Sequence, residues 1–140
     1  MYNGYFAALE NARAGQQIAV DELLPQLVLN QQGLIPVITQ CVSSGEVLMQ
    51  AWMNIEALQL TLDTGQMTYW TRSRQQLWVK GATSGHIQKL VELRIDCDGD
   101  SLLCLVEQSG AACHTNRSSC YYFSVKPQQH QAEVLTDRPE

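Results

Sequence analysis

No stretch of this chain stays apolar for anything near the ~18 residues a membrane-spanning helix needs. The first ten residues lack a basic segment followed by an apolar one, which argues against an export signal and for a cytoplasmic protein. A basic surplus is missing too. Nine Lys and Arg stand against fourteen Asp and Glu, for a net charge of −5, so a nucleic-acid partner held by a broad positive surface is excluded. Charged residues make up only 16% of the chain and hydrophobic ones 45%, a globular rather than a disordered balance. There is no internal repeat and no G-x-x-x-x-G-K-[ST] phosphate loop. The five cysteines are an odd number, and without an export signal a disulfide framework is the weaker reading. Such cysteines serve instead as metal ligands, catalytic thiols or packing residues. A length of 140 residues fits one domain with its own core.

What is present reads as a mainly β chain of α+β type with a few helices. Tyr5, Phe6, Leu9 and Ala12 share a helical face that runs to Gly15, and a second short helix is predicted near Val20 to Leu24, broken by Pro25. Residues 1–27 are therefore set apart as an N-terminal helical extension; residues 28–126 form the one domain, and 127–140 are polar, aperiodic and predicted to be disordered. Within the domain, Leu34 to Ile38 and Glu46 to Trp52 flank Ser43-Ser44-Gly45 and predict a β-hairpin. Asn54 suits a helix N-cap, Glu56 the first turn, and Gly65 the C-terminal glycine. Further strands are predicted at Met67–Thr71, Lys89–Ile95, Ser101–Glu107 and Tyr121–Val125. Leu77 to His86 reads as a loop. Its two glycines, Thr83, Ser84 and Lys80 could cradle a phosphate, although a solvated loop is the commoner outcome. Cys41 and Cys104 lie inside apolar runs and read as packing residues.

The densest chemistry is Asp96-Cys97-Asp98-Gly99-Asp100, joined by Cys113-His114 and Cys120 at C-x15-C-x6-C spacing. Thiolates suit zinc, whereas clustered carboxylates suit magnesium or calcium. Residues two apart in an extended segment share a side. Asp96, Asp98 and Asp100 thus predict a hard-cation site that relieves their mutual repulsion, with Cys97 facing a different ion. Taken alone, the aspartates are better read as a solvated turn; the cysteines shift that balance. Asp96, Asp98, Asp100 and Glu107 match positions 1, 3, 5 and 12 of an EF-hand loop, but Ser101 stands where its glycine belongs and the flanks read as strands. That reading is rejected. Three thiolates leave a tetrahedral zinc one ligand short. An open position signals a catalytic site, whereas His114 as fourth ligand would close a structural one. Adjacent residues rarely ligate one ion, which favours His114 as an acid or base beside the metal. A lone histidine is otherwise a hydrogen-bonded structural residue.

A larger pattern surrounds this core. It comprises Gly33-Leu34-Ile35-Pro36, Gly45-Glu46-Val47-Leu48-Met49, Ala51-Trp52-Met53-Asn54, Arg72-Ser73-Arg74, Leu77-Trp78 with Lys80-Gly81, and Thr83-Ser84-Gly85. The Asp96–Asp100 run, Glu107-Gln108, Cys113-His114-Thr115 and Ser119-Cys120 continue it. In collinear order over residues 28–125 it resembles the phosphoribosyl-AMP cyclohydrolase family of histidine biosynthesis. The resemblance implies a small mixed-sheet pseudo-barrel in an intertwined homodimer. It implies one zinc bound by Cys97, Cys113 and Cys120 drawn from both subunits, and magnesium at Asp96, Asp98 and Asp100. The implied reaction is hydrolysis of the N1–C6 bond of the adenine ring of phosphoribosyl-AMP by a zinc-activated water. His114 would assist proton transfer. Arg72, Arg74 and Lys80, with magnesium, would hold the phosphates, and Trp78, Thr83 and Ser84 complete the implied substrate contacts.

Three positions depart from the pattern: Asn116 stands where the family usually has glycine, and Ser118 and Val79 where it often has a basic residue. Many bacterial relatives fuse this domain to a pyrophosphohydrolase; this chain is expected to be monofunctional. Two other readings compete. A structural zinc module that binds partners without catalysis would close a Cys3His site and need no aspartates. A zinc nucleobase or nucleoside deaminase also attacks a purine C6, but its H-x-E and P-C-x-x-C signatures are absent.

Overall fold

Ile35, Val37 and Thr39 alternate toward one buried side and build strand β1 (Ile35–Cys41); the left-handed Gly45 (φ 77°) then turns the chain back into β2 (Val47–Met53). The computed structural model describes residues 4–139. β1 lies inside a four-stranded sheet of order β2-β1-β6-β5. Strand β6 (Leu102–Gln108) runs parallel to β1, and β5 (Gln88–Ile95) antiparallel to β6. Pro36, which has no N–H to give, pairs only toward β2; pairing with β6 begins one residue later, at Val37.

Helix α3 (Ile55–Thr64) begins where the Asn54 side chain accepts the Ala57 N–H at 2.8 Å, and ends at Gly65 in the left-handed region. Its buried face is Ala57, Leu58 and Thr61. Strands β3 (Thr68–Thr71) and β4 (Gln76–Val79) form a separate hairpin. Residues 77–79, expected in a loop, are therefore strand, with Trp78 opposite Tyr69 and the two rings 5.6 Å apart.

The hairpin meets β5 through a single bridge, Gln66 to Lys89, beside a bond from Met67 N–H to the Gln88 carbonyl at 3.0 Å. The next amide, Thr68 N–H, goes to the Thr61 hydroxyl of α3 at 3.0 Å rather than to a strand. The ladder stops there. Among the described residues the result is a curled mixed sheet with a packed hairpin, not the closed pseudo-barrel expected.

Strand β5 does not alternate simply. Its register shifts between Leu90 and Glu92, which expels Val91 to solvent and lets Leu90, Leu93 and Ile95 all pack on the core despite their mixed parity. The core itself centres on Ile35, Val37, Met53, Leu58, Met67, Leu102, Cys104 and Val106. Cys104 is thus a packing residue as expected, while Cys41 sits half-exposed at the end of β1 beside the Ser43 hydroxyl.

The N-terminal segment is less helical than its pattern predicts: α1 (Gly4–Ala8) ends early in turns, and α2 (Val20–Leu23) leads into a 3-10 turn holding Pro25. Met1 to Asn3 of that segment, and Glu140 of the tail, lie outside the described residues. Phe6, Leu24 and Leu27 are buried in the same apolar cluster as β1 and β6. The Phe6 ring occupies the space a Cβ on Gly99 would need, so this segment packs directly under the Asp96–Asp100 loop. In the tail, Glu133–Val134 (β8) pairs with Phe123–Ser124 (β7), a short ladder in a stretch predicted to lack structure. No helix among the described residues is long and apolar enough to cross a membrane.

Candidate active site

The site is built where two loops meet under the β3–β4 hairpin. One is the turn after β4, in which Gly81 (φ 82°) and Gly85 (φ 81°) take left-handed conformations and the Gly85 N–H donates to the Gly81 carbonyl at 2.8 Å. The other is the segment after β6. There Asn116 adopts φ 66° and its N–H donates to the Cys113 carbonyl at 2.9 Å, folding a tight turn that presents Cys113 and His114. Glycine is the residue best suited to that backbone, and asparagine is among the few others that tolerate it. The departure at Asn116 is therefore conformationally conservative. Farther on, Cys120 N–H donates to the Leu48 carbonyl at 2.7 Å and the Ser119 hydroxyl to the Val47 carbonyl at 2.7 Å, which fastens Cys120 to β2. Ser118 reaches Glu46 at 3.2 Å.

These tethers bring the Cys113 and Cys120 thiols close enough for each to act on the other's ionisation. Burial is the largest single influence on Cys113 and opposes its thiolate. Hydrogen bonds from Thr115 (hydroxyl to sulfur 3.1 Å) and Cys120, with the Arg117 charge, outweigh it and bring the thiol below its ordinary value. Cys120 moves the other way, pushed up to about 11 by burial and by the neighbouring Cys113 charge, with Lys80 opposing. A cation would let both sulfurs ionise, as zinc requires. Lys80 is half-buried beside them. Its Nζ donates to the Ala112 carbonyl at 2.6 Å and lies 5.1 Å from the Trp78 ring centre, and burial lowers its pKa.

A cleft of about 350 Å³ opens at Cys113, and Trp78, Lys80, Thr83, Ser84 and His114 line it with that thiol. Six residues singled out in the sequence thus meet. His86 and Asn116 also line the cleft. Sequence reasoning marked Asn116 as a departure from the family pattern but passed over His86, although a histidine closing a two-glycine loop was a signal available to it.

Other expected site residues lie elsewhere on the chain. Arg72 stacks on Trp52 (4.7 Å to the ring centre) and lines a larger cleft of about 580 Å³ with Ser73, Asn54 and Trp70, which holds no thiol or histidine. Arg74 is exposed and lines neither cleft. Asp96, Cys97, Asp98 and Asp100 form the β5–β6 turn, where the Asp96 carboxylate accepts the amides of Asp100 (3.0 Å) and Ser101 (3.2 Å). Its contact with Asp96, then burial and the charges of Asp96 and Asp98, raise the Asp100 pKa; the Asp98 charge does most to raise that of Cys97. Both shifts mark negative charge that a bound cation would relieve. Even so, no three His, Cys, Asp or Glu side chains among the described residues converge as a cation site. The exposed Cys97 is on its own turn, apart from the Cys113–Cys120 pair.

Known proteins place this arrangement in context. A family model for phosphoribosyl-AMP cyclohydrolase matches residues 49–122, which include every cleft-lining residue named above. A phosphoribosyl-AMP cyclohydrolase of Paracoccus denitrificans is 59% identical over 114 residues, spanning 81% of this chain and 92% of its own length. That of Ruegeria sp. is 56% identical over 110 residues, 79% of this chain and 84% of its own. A Hydrogenovibrio crunogenus protein of the same name is 51% identical over 132 residues, 94% of this chain and 88% of its own, so that likeness runs well into the N-terminal segment.

Proposed function

This chain belongs to the phosphoribosyl-AMP cyclohydrolase family, and from that premise we propose that it opens the adenine ring at the cleft lined by Cys113 and His114, with Cys120 beside Cys113. Its function is hydrolysis of the N1–C6 bond of phosphoribosyl-AMP to the formimino-aminoimidazole carboxamide ribonucleotide of histidine biosynthesis. The carrying observation is that Cys113 shares one cleft with His114, a lysine and two hydroxyls, while the Cys120 thiol lies near enough to Cys113 to act on its ionisation. The donor set fits zinc, with Cys97 as the third ligand. Cys97 sits on a separate turn of its own chain, so the triad is proposed to form across a homodimer in which the partner's turn reaches over this cleft. When bound, zinc supplies a Lewis acid that brings a coordinated water toward ionisation at neutral pH. The carboxylates of Asp96, Asp98 and Asp100 would hold magnesium on the same turn.

The chain's own residues do the rest. The turn closed by Asn116 fixes His114 next to Cys113, where its imidazole accepts a proton from the attacking water. The Thr83 and Ser84 hydroxyls offer donors to an anionic or hydroxylated part of the substrate. Trp78 supplies an aromatic wall. Half-buried Lys80 donates to the Ala112 carbonyl and feels the charges of both thiols, which favours a role in holding the Cys113 segment and offsetting thiolate charge over direct phosphate binding. Arg72 and Arg74 are the remaining cations for the substrate's phosphates, Arg72 from the larger cleft.

The test is turnover of phosphoribosyl-AMP with zinc content measured in parallel. Chelation and Cys113→Ala are each expected to remove zinc and abolish ring opening. Full turnover by zinc-free Cys113→Ala protein would reject this site.

A further inference from the structure

We propose that His86 is a second catalytic histidine of the cleft, the group that delivers a proton to N1 as the C6–N1 bond breaks. The inference rests on the reading of the Cys113–His114 cleft as the active site.

An unusual share of local structure serves to fix this one imidazole. Its backbone N–H donates to the Ser84 hydroxyl at 3.2 Å, and its carbonyl accepts from Gln108 Nε2 at 3.4 Å. Gly81 has no room for a Cβ because the His86 carbonyl group occupies that space. A Cβ on Gly110 would fall 2.6 Å from His86 Cδ2 and 2.9 Å from Nε2, so the ring lies flush on that backbone. Both glycines have positive φ (82° and 70°), a second reason why other residues fit poorly there. Behind them, Gln108 accepts from Gln88 at 2.8 Å, Gln88 accepts from the Tyr69 hydroxyl at 2.6 Å, and that hydroxyl contacts Thr39 at 2.7 Å. Gln88, Tyr69 and Thr39 are fully buried, so the loop's anchor reaches the centre of the core.

The ring itself is left unspent. Among the described residues neither nitrogen of His86 has a hydrogen-bond partner, although the residue is only partly exposed and lines the cleft with Cys113 and His114. A histidine kept for structure uses its nitrogens to hold the fold. Here the backbone is held and the ring nitrogens carry no bond, in a residue that lines the cleft.

The reaction needs such a group. The water oxygen bonds to C6, the C6–N1 pair goes to N1, and both water protons leave the oxygen as it becomes the amide carbonyl. One proton ends on the exocyclic nitrogen, completing the amide NH2, and one on N1. His114 follows Cys113 in sequence and so stays with the water; His86, on the glycine-loop wall, is the group left for the leaving nitrogen.

His86→Gln and His86→Ala, assayed beside wild type and Cys113→Ala with zinc content determined for each, test this. Both His86 variants are expected to keep zinc and their thermal midpoint, hold KM within about threefold, and lose about 10²-fold or more in kcat. Added imidazole should restore part of the activity of His86→Ala. A kcat within about threefold of wild type for His86→Gln overturns the proposal, and so does a loss that tracks zinc content with no imidazole rescue. Wild-type turnover by zinc-free Cys113→Ala overturns the reading of the cleft itself, and does so independently of the His86 results.

Discussion

At the scale of single residues, Asn116 is the simplest case of a sequence departure explained by backbone geometry. Its φ of 66° favours glycine, tolerates asparagine and penalises other side chains. Asn116→Gly is therefore expected to leave stability and turnover near wild type, whereas Asn116→Ala should cost about 1 kcal/mol. Thermal melts of the two variants check this, and equal midpoints would refute it. Cys41 carries a pH-dependent prediction. Hydrogen bonds from Ser43 and then Ser44 lower its thiol from 9.0 to about 7. Since the folded value is depressed, the linked stabilisation is complete above the unfolded value of 9.0 and is lost as pH falls through about 7. The direct readout is alkylation. Cys41 should reach half its maximal rate near pH 7, and a midpoint near 9 would show that the serines do not act on it.

At the scale of elements, α3 and the buried polar chain bracket the range of what a local sequence reveals. The Asn54 cap, Glu56 and Gly65 define α3 through short-range rules, and the helix forms between them. Asn54→Ala should cost about 1 kcal/mol in denaturant unfolding. Strand β4 escaped the same kind of reading because Leu77-Trp78-Val79 is too short to declare itself; its pairing depends on Tyr69 across the hairpin. The exposure of Val91 is hidden from sequence for a related reason, since a bulge resets strand parity and no local pattern announces it. The network from Thr39 through Tyr69 and Gln88 to Gln108 is longer range still, joining residues as far as 30 apart in sequence at a single contact. Tyr69→Phe leaves the buried Gln88 and Thr39 oxygens short of a partner and should cost about 1–3 kcal/mol in denaturant unfolding. A loss under about 0.5 kcal/mol would mean that the network contributes little.

At the scale of the whole molecule, the family was legible because its motifs are collinear over most of the chain. Two features were not legible. The first is closure: the expected pseudo-barrel fails because Thr61 of α3 captures the amide that would extend the ladder from β3 to β5. The second is how the motifs divide in space. Trp78, Lys80, Thr83, Ser84, Cys113 and His114 converge on one cleft, while Arg72 and the Asp96–Asp100 turn do not, and sequence spacing holds no record of that division. The division is also what makes a two-chain site the account's central claim.

Mixing Cys97→Ala and Cys113→Ala proteins, each inactive alone, and measuring phosphoribosyl-AMP turnover tests that claim most directly. If Cys97 of one chain completes the Cys113–Cys120 pair of another, each mixed dimer keeps one intact site, and random exchange of symmetric dimers should recover about a quarter of wild-type activity. If the three cysteines of one chain form the site, every site in the mixture is broken, and no activity returns at any ratio.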